Sequence, residues 1–439
     1  MKKTALMCAI LFCTHQLSAD NIHTMDTSKK FLSKPTDNLS NEELETFIVG
    51  KSFFRIPWVE APSATTARDG LGPLFSANAC ISCHPHNGSG SVYNKDGNIG
   101  RSLVTRFSLK DTLDDKNGFV PDSTYGNQLS INGVKDVPYE GKPTLKYEIV
   151  PFTYPDGQKV ELKKPIIGVS DLQYGSLDKN TVIAHRLAQP LIGLGMINKI
   201  KEQDILKYQD VDDKDGDGIS GRPNYAVDPQ TGEKKLGRFT WKASAVSLKH
   251  QVAAAFINDM GITSPLYPDE NCTQNQKECL NAPKGRDEFD LPMSRLDAVT
   301  FYVGHLQIPK PKETKGFVVG KQLFESIGCT KCHVSSYEVE REKIYPYSDF
   351  LLHDMGDGLS DDGRVEFDAK PNEWRTQPLW GIGKRADILG QSDYLHDGRA
   401  KSIEEAILWH GGEAENIKLN FVSLTKEERE KILEFLKGL

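Results

Sequence analysis

Two short runs, Cys80-Ile81-Ser82-Cys83-His84 and Cys329-Thr330-Lys331-Cys332-His333, constrain this chain more than any other feature. Each has the Cys-x-x-Cys-His pattern of covalent haem attachment. Two cysteines three positions apart share one helical turn and can bond the two vinyl groups of one porphyrin. The adjoining histidine then reaches the iron as axial ligand. A redox-active thiol pair is the competing use of a single such run. Two of them in an exported chain predict two covalently bound haem c groups, one on Cys80, Cys83 and His84 and one on Cys329, Cys332 and His333.

Export is read from the first residues. Lys2 and Lys3 precede an apolar run from Ala5 to Cys13, and Leu17-Ser18-Ala19 offers a small-residue cleavage site. The run is too short to span a bilayer, so residues 1–19 read as a cleaved signal peptide and the periplasm as the destination. Neither Cys8 nor Cys13 follows a small residue, which speaks against a lipid anchor. Of 8 cysteines, two lie in this leader and four in the haem motifs, leaving Cys272 and Cys279. Outside the cytosol that pair predicts a disulfide closing a polar loop.

The chain has 439 residues, 26% of them charged and 38% apolar, which suits a globular protein of two or three domains. A net charge of −7 argues against nucleic acid as a partner. Nothing after residue 19 resembles a membrane span.

Helical periodicity surrounds the second motif. From Gly316 to Ile327 the spacing puts Val319, Leu323, Phe324 and Ile327 on one face, and the segment leads into Cys329. At the far end, Thr425 and Glu428 form a capping box ahead of Ile432, Leu433, Leu436 and Leu439. A brief helix is expected from Gly72-Pro73-Leu74-Phe75 into Cys80, and a long one from Trp241 to Met260. Strand-like runs at 146–152 and 158–167, joined by Tyr154-Pro155-Asp156-Gly157, predict a β-hairpin. Pro309-Lys310-Pro311 reads as a stiff linker. The expected architecture is mainly α, with two cytochrome c-like haem domains at 20–309 and 310–439 and a β-hairpin inserted in the first.

Eight further stretches carry a family resemblance. Residues 373–380 and 394–407 resemble the second haem domain of bacterial di-haem cytochrome c peroxidases. Gly193-Leu194-Gly195, the runs 215–224, 238–243, 259–263 and 352–357, and Trp409-His410-Gly411-Gly412 resemble a sister group more closely. These are the di-haem oxidoreductases once called thiol oxidoreductases, and the likeness covers roughly residues 50–439.

The resemblance implies a peroxidase-like oxidoreductase, in which a soluble electron-donor protein reduces the second haem and peroxide or another small oxidant reacts at the first. A non-enzymatic electron carrier, or haem-dependent oxidation of an organic or protein substrate, are the alternative functions. Relatives often form homodimers, although no segment here identifies an interface. Where the peroxidases place a methionine after a segment like His396-Asp397-Gly398, this chain has His410, so His333 and His410 are the expected axial pair of the second haem, with Met355 as rival. The departure matters because imidazole in place of thioether lowers the reduction potential.

For the first haem the sixth position is left between an open site, His185 and Met196. Peroxide cleavage needs a proton-moving group and a polar stabiliser. Gln189, His250, Gln251 and Glu148 are the candidates, and Trp241, beside Arg238 and Lys242 in a family motif, is a candidate relay for electrons. Finally, Asp213, Asp215 and Asp217 with Gly218 resemble the first half of an EF-hand loop, and the peroxidases carry calcium. Asn224 at the twelfth position departs from that pattern, so calcium competes with a solvated acidic turn.

Overall fold

The computed structural model describes residues 22–26, 28, 31–340, 342–390 and 392–439. The expected signal peptide lies outside the described residues. Among those described, no helix is long and apolar enough to cross a membrane.

The expectation of a mainly α protein is overturned. The chain is 29% helix and 21% strand, and its strands form two-stranded sheets only, joined by long irregular segments. The helical signal is concentrated around the second motif and does not represent the rest. The segments Leu103–Leu109, which largely alternates buried and half-buried positions, and Thr181–Leu187, which is buried over its last four residues, pair antiparallel along seven residues.

The hairpin is present and longer than expected. Lys142–Thr153 pairs with Lys159–Ser170 in register Lys142 to Ser170, and Gly157 N–H closes the turn on Tyr154 O at 2.9 Å. Its tip does not stay with the first motif. Tyr154 and Leu162 join the apolar cluster of the C-terminal helices, and Arg429 stacks 3.9 Å from the Tyr154 ring centroid while donating to Asp156 Oδ2.

The helix before the second motif is Lys315–Ser326, and of the expected face Phe324 and Ile327 are buried and Leu323 packs on the same core, whereas Val319 does not. Phe317, Gly320 and Phe324 are buried and Val319 is 45% exposed. The reason is the crossing with the C-terminal helix Lys426–Gly438: a Cβ on Gly320 would stand 1.9 Å from Lys431 O, so glycine permits the close approach and becomes part of the buried face. The capping box of Thr425 and Glu428 is formed as expected.

No helix enters the first motif. Asp69–Leu71 and Leu74–Phe75 are short strands, and Gly72 packs so closely on Gly261 that no side chain fits there. The helix beside this motif is instead Asn41–Arg55, capped by Ser40 and Glu43 and packed on Met293–Gly304. The long helix expected from Trp241 begins only at Leu248, because Thr240 and Ala243 have φ of 72° and 53° and break the helical path. Leu248–Met260 then runs along the first motif's cavity. Cys272 and Cys279 form the expected disulfide.

One large core combines residues from Ile22 to Val303 with Tyr337, Ile344, Phe350 and Trp380, so the stretch after the second motif packs into the same interior as the first. Ile308–Pro309 pairs in parallel with His23–Thr24.

Candidate functional site

Both Cys-x-x-Cys-His runs fold as a single 3₁₀ turn, at Cys80–Ser82 and Cys329–Lys331, with the histidine N–H donating to the first cysteine's carbonyl at 3.0 Å in each. All four thiols are free. Burial pushes Cys80 and Cys329 up to about 12, so both are protonated at neutral pH.

Beside the first motif lies a cavity of about 990 Å³, lined by Cys80, Cys83 and His84. That is at the upper end of ordinary ligand pockets, about 300–1,000 Å³. The cavity gathers four of the sequence candidates: Gln189, Trp241, His250 and Gln251 all line it. Glu148 does not; it is exposed on the hairpin. His185 and Met196 are also outside the lining. His185 is buried with neither ring nitrogen hydrogen-bonded, and burial pushes it down to about 4.

The histidines sort by what faces Nδ1. A carbonyl can only accept, so an imidazole whose Nδ1 meets one must carry its proton there, which leaves the Nε2 lone pair free for a metal. His333 Nδ1 meets Tyr347 O and His410 Nδ1 meets Ala406 O, each at 2.8 Å. Burial pushes His333 down to about 4, with His410 near enough to contribute, and burial lowers His410 as well. Both are neutral, as ligands must be.

His250 has the opposite arrangement. Val246 N–H donates to its Nδ1 at 3.3 Å, so the proton of the neutral ring sits on Nε2, which has no protein partner. Burial pushes it down to about 4. The ring that lines the cavity is therefore a hydrogen-bond donor rather than a lone-pair ligand. His353 is neither: Asp349 Oδ2 and Glu413 Oε2 hold its two nitrogens at 2.8 Å each, and its pKa is raised well above the usual value by Asp349 against the cost of burial. Met355 has its backbone against Gly411, next to His410.

Gln189 Nε2 donates to Gln377 Oε1, whereas Gln251 Oε1 is buried without a partner. Trp241 donates from Nε1 to Leu187 O at 2.9 Å, and its ring lies 6.4 Å from His396. His396 in turn stacks on Trp374 at 3.8 Å and 11°. Arg238 is tied to Ile200 O, outside this cavity. Lys242 is fully buried and donates to three carbonyls, of Lys370, Pro371 and Glu373, and burial pushes it down to about 8.

The acidic loop is only partly as expected. Asp213 and Asp215 converge with Asp210, their ligand atoms within 4.8 Å of one another, but Asp217 turns away to Lys331 at 2.8 Å. Asn224 is buried elsewhere, donating to Lys242 O and Glu366 O.

Set against known proteins, the sequence matches from residue 16 to residue 439 the model of a family described as "Di-haem oxidoreductase, putative peroxidase". The chain belongs to the di-haem oxidoreductase family. It is accordingly an enzyme that works with haem. No curated protein matches it. Among solved structures, hydrazine synthase of Kuenenia stuttgartiensis, determined under xenon pressure, aligns over 100% of both chains at 12% identity with a TM-score of 0.36, too remote a likeness to inform the site.

The residues present fit the cofactor that the family implies. Four reduced thiols stand beside His84 and His333, His84 Nδ1 is buried and without a partner, and His333 and His410 have the tautomer that leaves Nε2 free. Burial lowers His84, opposed by Asp259 and by nearby backbone of Gln189 and Gly88, so it too is neutral.

Sequence reasoning missed the buried charges around the cavity: Arg106, Arg186, Arg364 and Glu366 line it. Arg186 pairs with Asp361 through two hydrogen bonds, at 2.9 and 2.5 Å. No local pattern could have revealed the partners of Arg186, because Asp361 and Glu366 lie 175 and 180 positions further along the chain.

Proposed function

We propose that this di-haem oxidoreductase is a periplasmic peroxidase-like enzyme with two unequal haems. Each is attached through thioethers, the first to Cys80 and Cys83 with His84 as axial ligand, the second to Cys329 and Cys332 with His333 and His410 as an axial pair. A soluble donor protein delivers electrons at the second, and a small oxidant such as peroxide reacts at the first. The observation that carries this reading is the tautomer difference: opposite the second motif stands an imidazole with a free Nε2 lone pair, whereas the imidazole lining the first cavity carries a proton there.

Haem supplies the redox chemistry, with an open axial position permitting reaction and two strong ligands favouring electron transfer. The chain supplies the surroundings. His250 offers an Nε2–H donor to the distal oxygen of a bound oxidant and stabilises developing negative charge. Gln251, on the same helix, has Oε1 unpartnered and offers an acceptor to an O–H of the reactant. Trp241, held by Leu187 O, stands between the cavity and His396 and shortens the path for an electron.

Electron paramagnetic resonance through a redox titration tests the assignment. A high-spin first haem that changes on addition of hydrogen peroxide is expected, with one low-spin bis-histidine signal from the second. Two low-spin signals that persist at half reduction would sink it. His250→Gln, which retains a donor, is expected to keep most of the peroxide response, and His250→Ala to lose about 10²–10³-fold.

A further inference from the structure

Arg106 is a charged group in the first cavity that the reading above leaves without a task. It stands on Leu103–Leu109, opposite Ala184, and strand alternation turns it with Val104 to the cavity while Leu103, Thr105 and Phe107 are buried on the other side. Its cationic neighbours are all satisfied. Arg186 holds Asp361 and reaches Glu366 at 3.3 Å, Arg364 Nε donates to Glu366 at 3.1 Å and its terminal nitrogen to Phe107 O, and Lys242 has three carbonyls with Asp361 at 3.6 Å. The Arg106 guanidinium makes no hydrogen bond and no ion pair with any described residue.

The charges do not balance. Two carboxylates, Asp361 and Glu366, serve Arg186, Arg364 and Lys242 before Arg106 is considered. Asp259 also lines the cavity and acts on Arg106 through space, but its Oδ1 is engaged by Gln128 Nε2 at 2.9 Å. Even with Asp259 counted, these four cations face three carboxylates, and the other carboxylates of the lining are exposed, as Asp115 and Asp269 are, or paired, as Asp228 is with Lys235; a largely buried cation with no carboxylate in contact is costly without a counter-ion. A guanidinium left open to a cavity presents a planar fork that matches a carboxylate through two parallel hydrogen bonds.

We propose that Arg106 is the carboxylate-binding residue of the first cavity and that its occupant is a propionate of the first haem. A porphyrin tethered at Cys80 and Cys83 brings carboxylates into this cavity without any further ligand, and Arg106 then orients the ring and neutralises one of them. The inference rests on the proposed attachment at Cys80 and Cys83. Acid–acetone extraction of the denatured protein separates the two: loss of the first haem on extraction overturns the attachment, whatever Arg106 does.

The test is the first haem's midpoint potential in the purified holoprotein, followed from pH 5 to pH 8 in wild type, Arg106→Gln and Arg106→Lys, with haem content checked as two per chain. In Arg106→Gln the midpoint is expected to fall, because the ferric state keeps its extra positive charge more easily beside an unpaired carboxylate. It is also expected to become pH-dependent as that carboxylate takes up a proton on reduction, and Arg106→Lys is expected to restore most of the wild-type value. A second arm adds sodium formate. A saturable shift in wild type that Arg106→Gln abolishes keeps the carboxylate site but assigns it to a diffusible acid. A midpoint that is unchanged, or that falls with no pH dependence and no formate response, overturns the proposal.

Discussion

The two Cys-x-x-Cys-His runs have the same local backbone and different surroundings. Around Cys329 and Cys332 the side chains close in: Phe324, Tyr347 and Phe435 form a connected set of rings, Phe324 lies 6.0 Å from His333, and His333 and His410 are each fixed by a backbone carbonyl. Around Cys80 and Cys83 the walls stand apart, His84 Nδ1 has no partner, and the polar groups facing the space include an Nε2–H, a free amide oxygen and an unpaired guanidinium. The same Cys-x-x-Cys-His pattern thus stands among packed rings and carbonyl-anchored imidazoles in one place and beside an open cavity in the other. What distinguishes them is the supply of anchored imidazole from distant chain.

The strongest way to break this comparison is to remove one attachment at a time. Cys80→Ser with Cys83→Ser is expected to halve the haem content and abolish peroxide turnover, whereas Cys329→Ser with Cys332→Ser should leave a first haem that still responds to peroxide but receives electrons slowly; pyridine haemochrome spectra and stopped-flow kinetics check both. Next in size is the buried pair that ties the cavity strand to the C-terminal half. Asp361→Asn leaves Arg186 with half its partner and is expected to cost about 3–5 kcal/mol, read as a lower denaturant midpoint.

The ligand assignment of the second site is probed by His410→Met, expected to raise that haem's midpoint while the first is unchanged, since thioether favours the ferrous state. A second midpoint that does not move would exclude His410 as ligand. The smallest effect concerns His353, held between Asp349 and Glu413 with its pKa raised. The folded state binds this proton more tightly than the unfolded one, so its stabilisation is complete below about 6.5 and is lost as pH rises through the folded value. Thermal denaturation should therefore show a loss of stability on the alkaline side that His353→Gln removes.

The sequence alone determined the haem-binding runs, the hairpin, the capped C-terminal helix and the disulfide, because each is specified within about twenty residues by spacing, turn chemistry or cysteine parity. Among the cavity residues Trp241 was also legible, through a family motif, whereas Gln189, His250 and Gln251 were named only as polar side chains suited to the chemistry. The mixed α and β architecture was not, since local helical signal near the second motif says nothing about how Leu103–Leu109 finds Thr181–Leu187. Nor was the exchange of Val319 for Gly320 on the buried face of Lys315–Ser326, which depends on how closely the C-terminal helix approaches Gly320.

The folded backbone four residues upstream of each ring decided the proton positions. Whether an imidazole can bind iron or only donate a hydrogen bond depends on the one backbone group facing its Nδ1, a carbonyl at His410 and an amide at His250. Tertiary structure also left the Arg106 guanidinium facing the first cavity unpaired, while Asp361, 175 positions along the chain, neutralised Arg186 and the nearby Glu366 neutralised Arg364. The pentapeptides state that two haems are bound; only the folded chain, by bringing such distant groups within hydrogen-bond reach, makes their surroundings unequal.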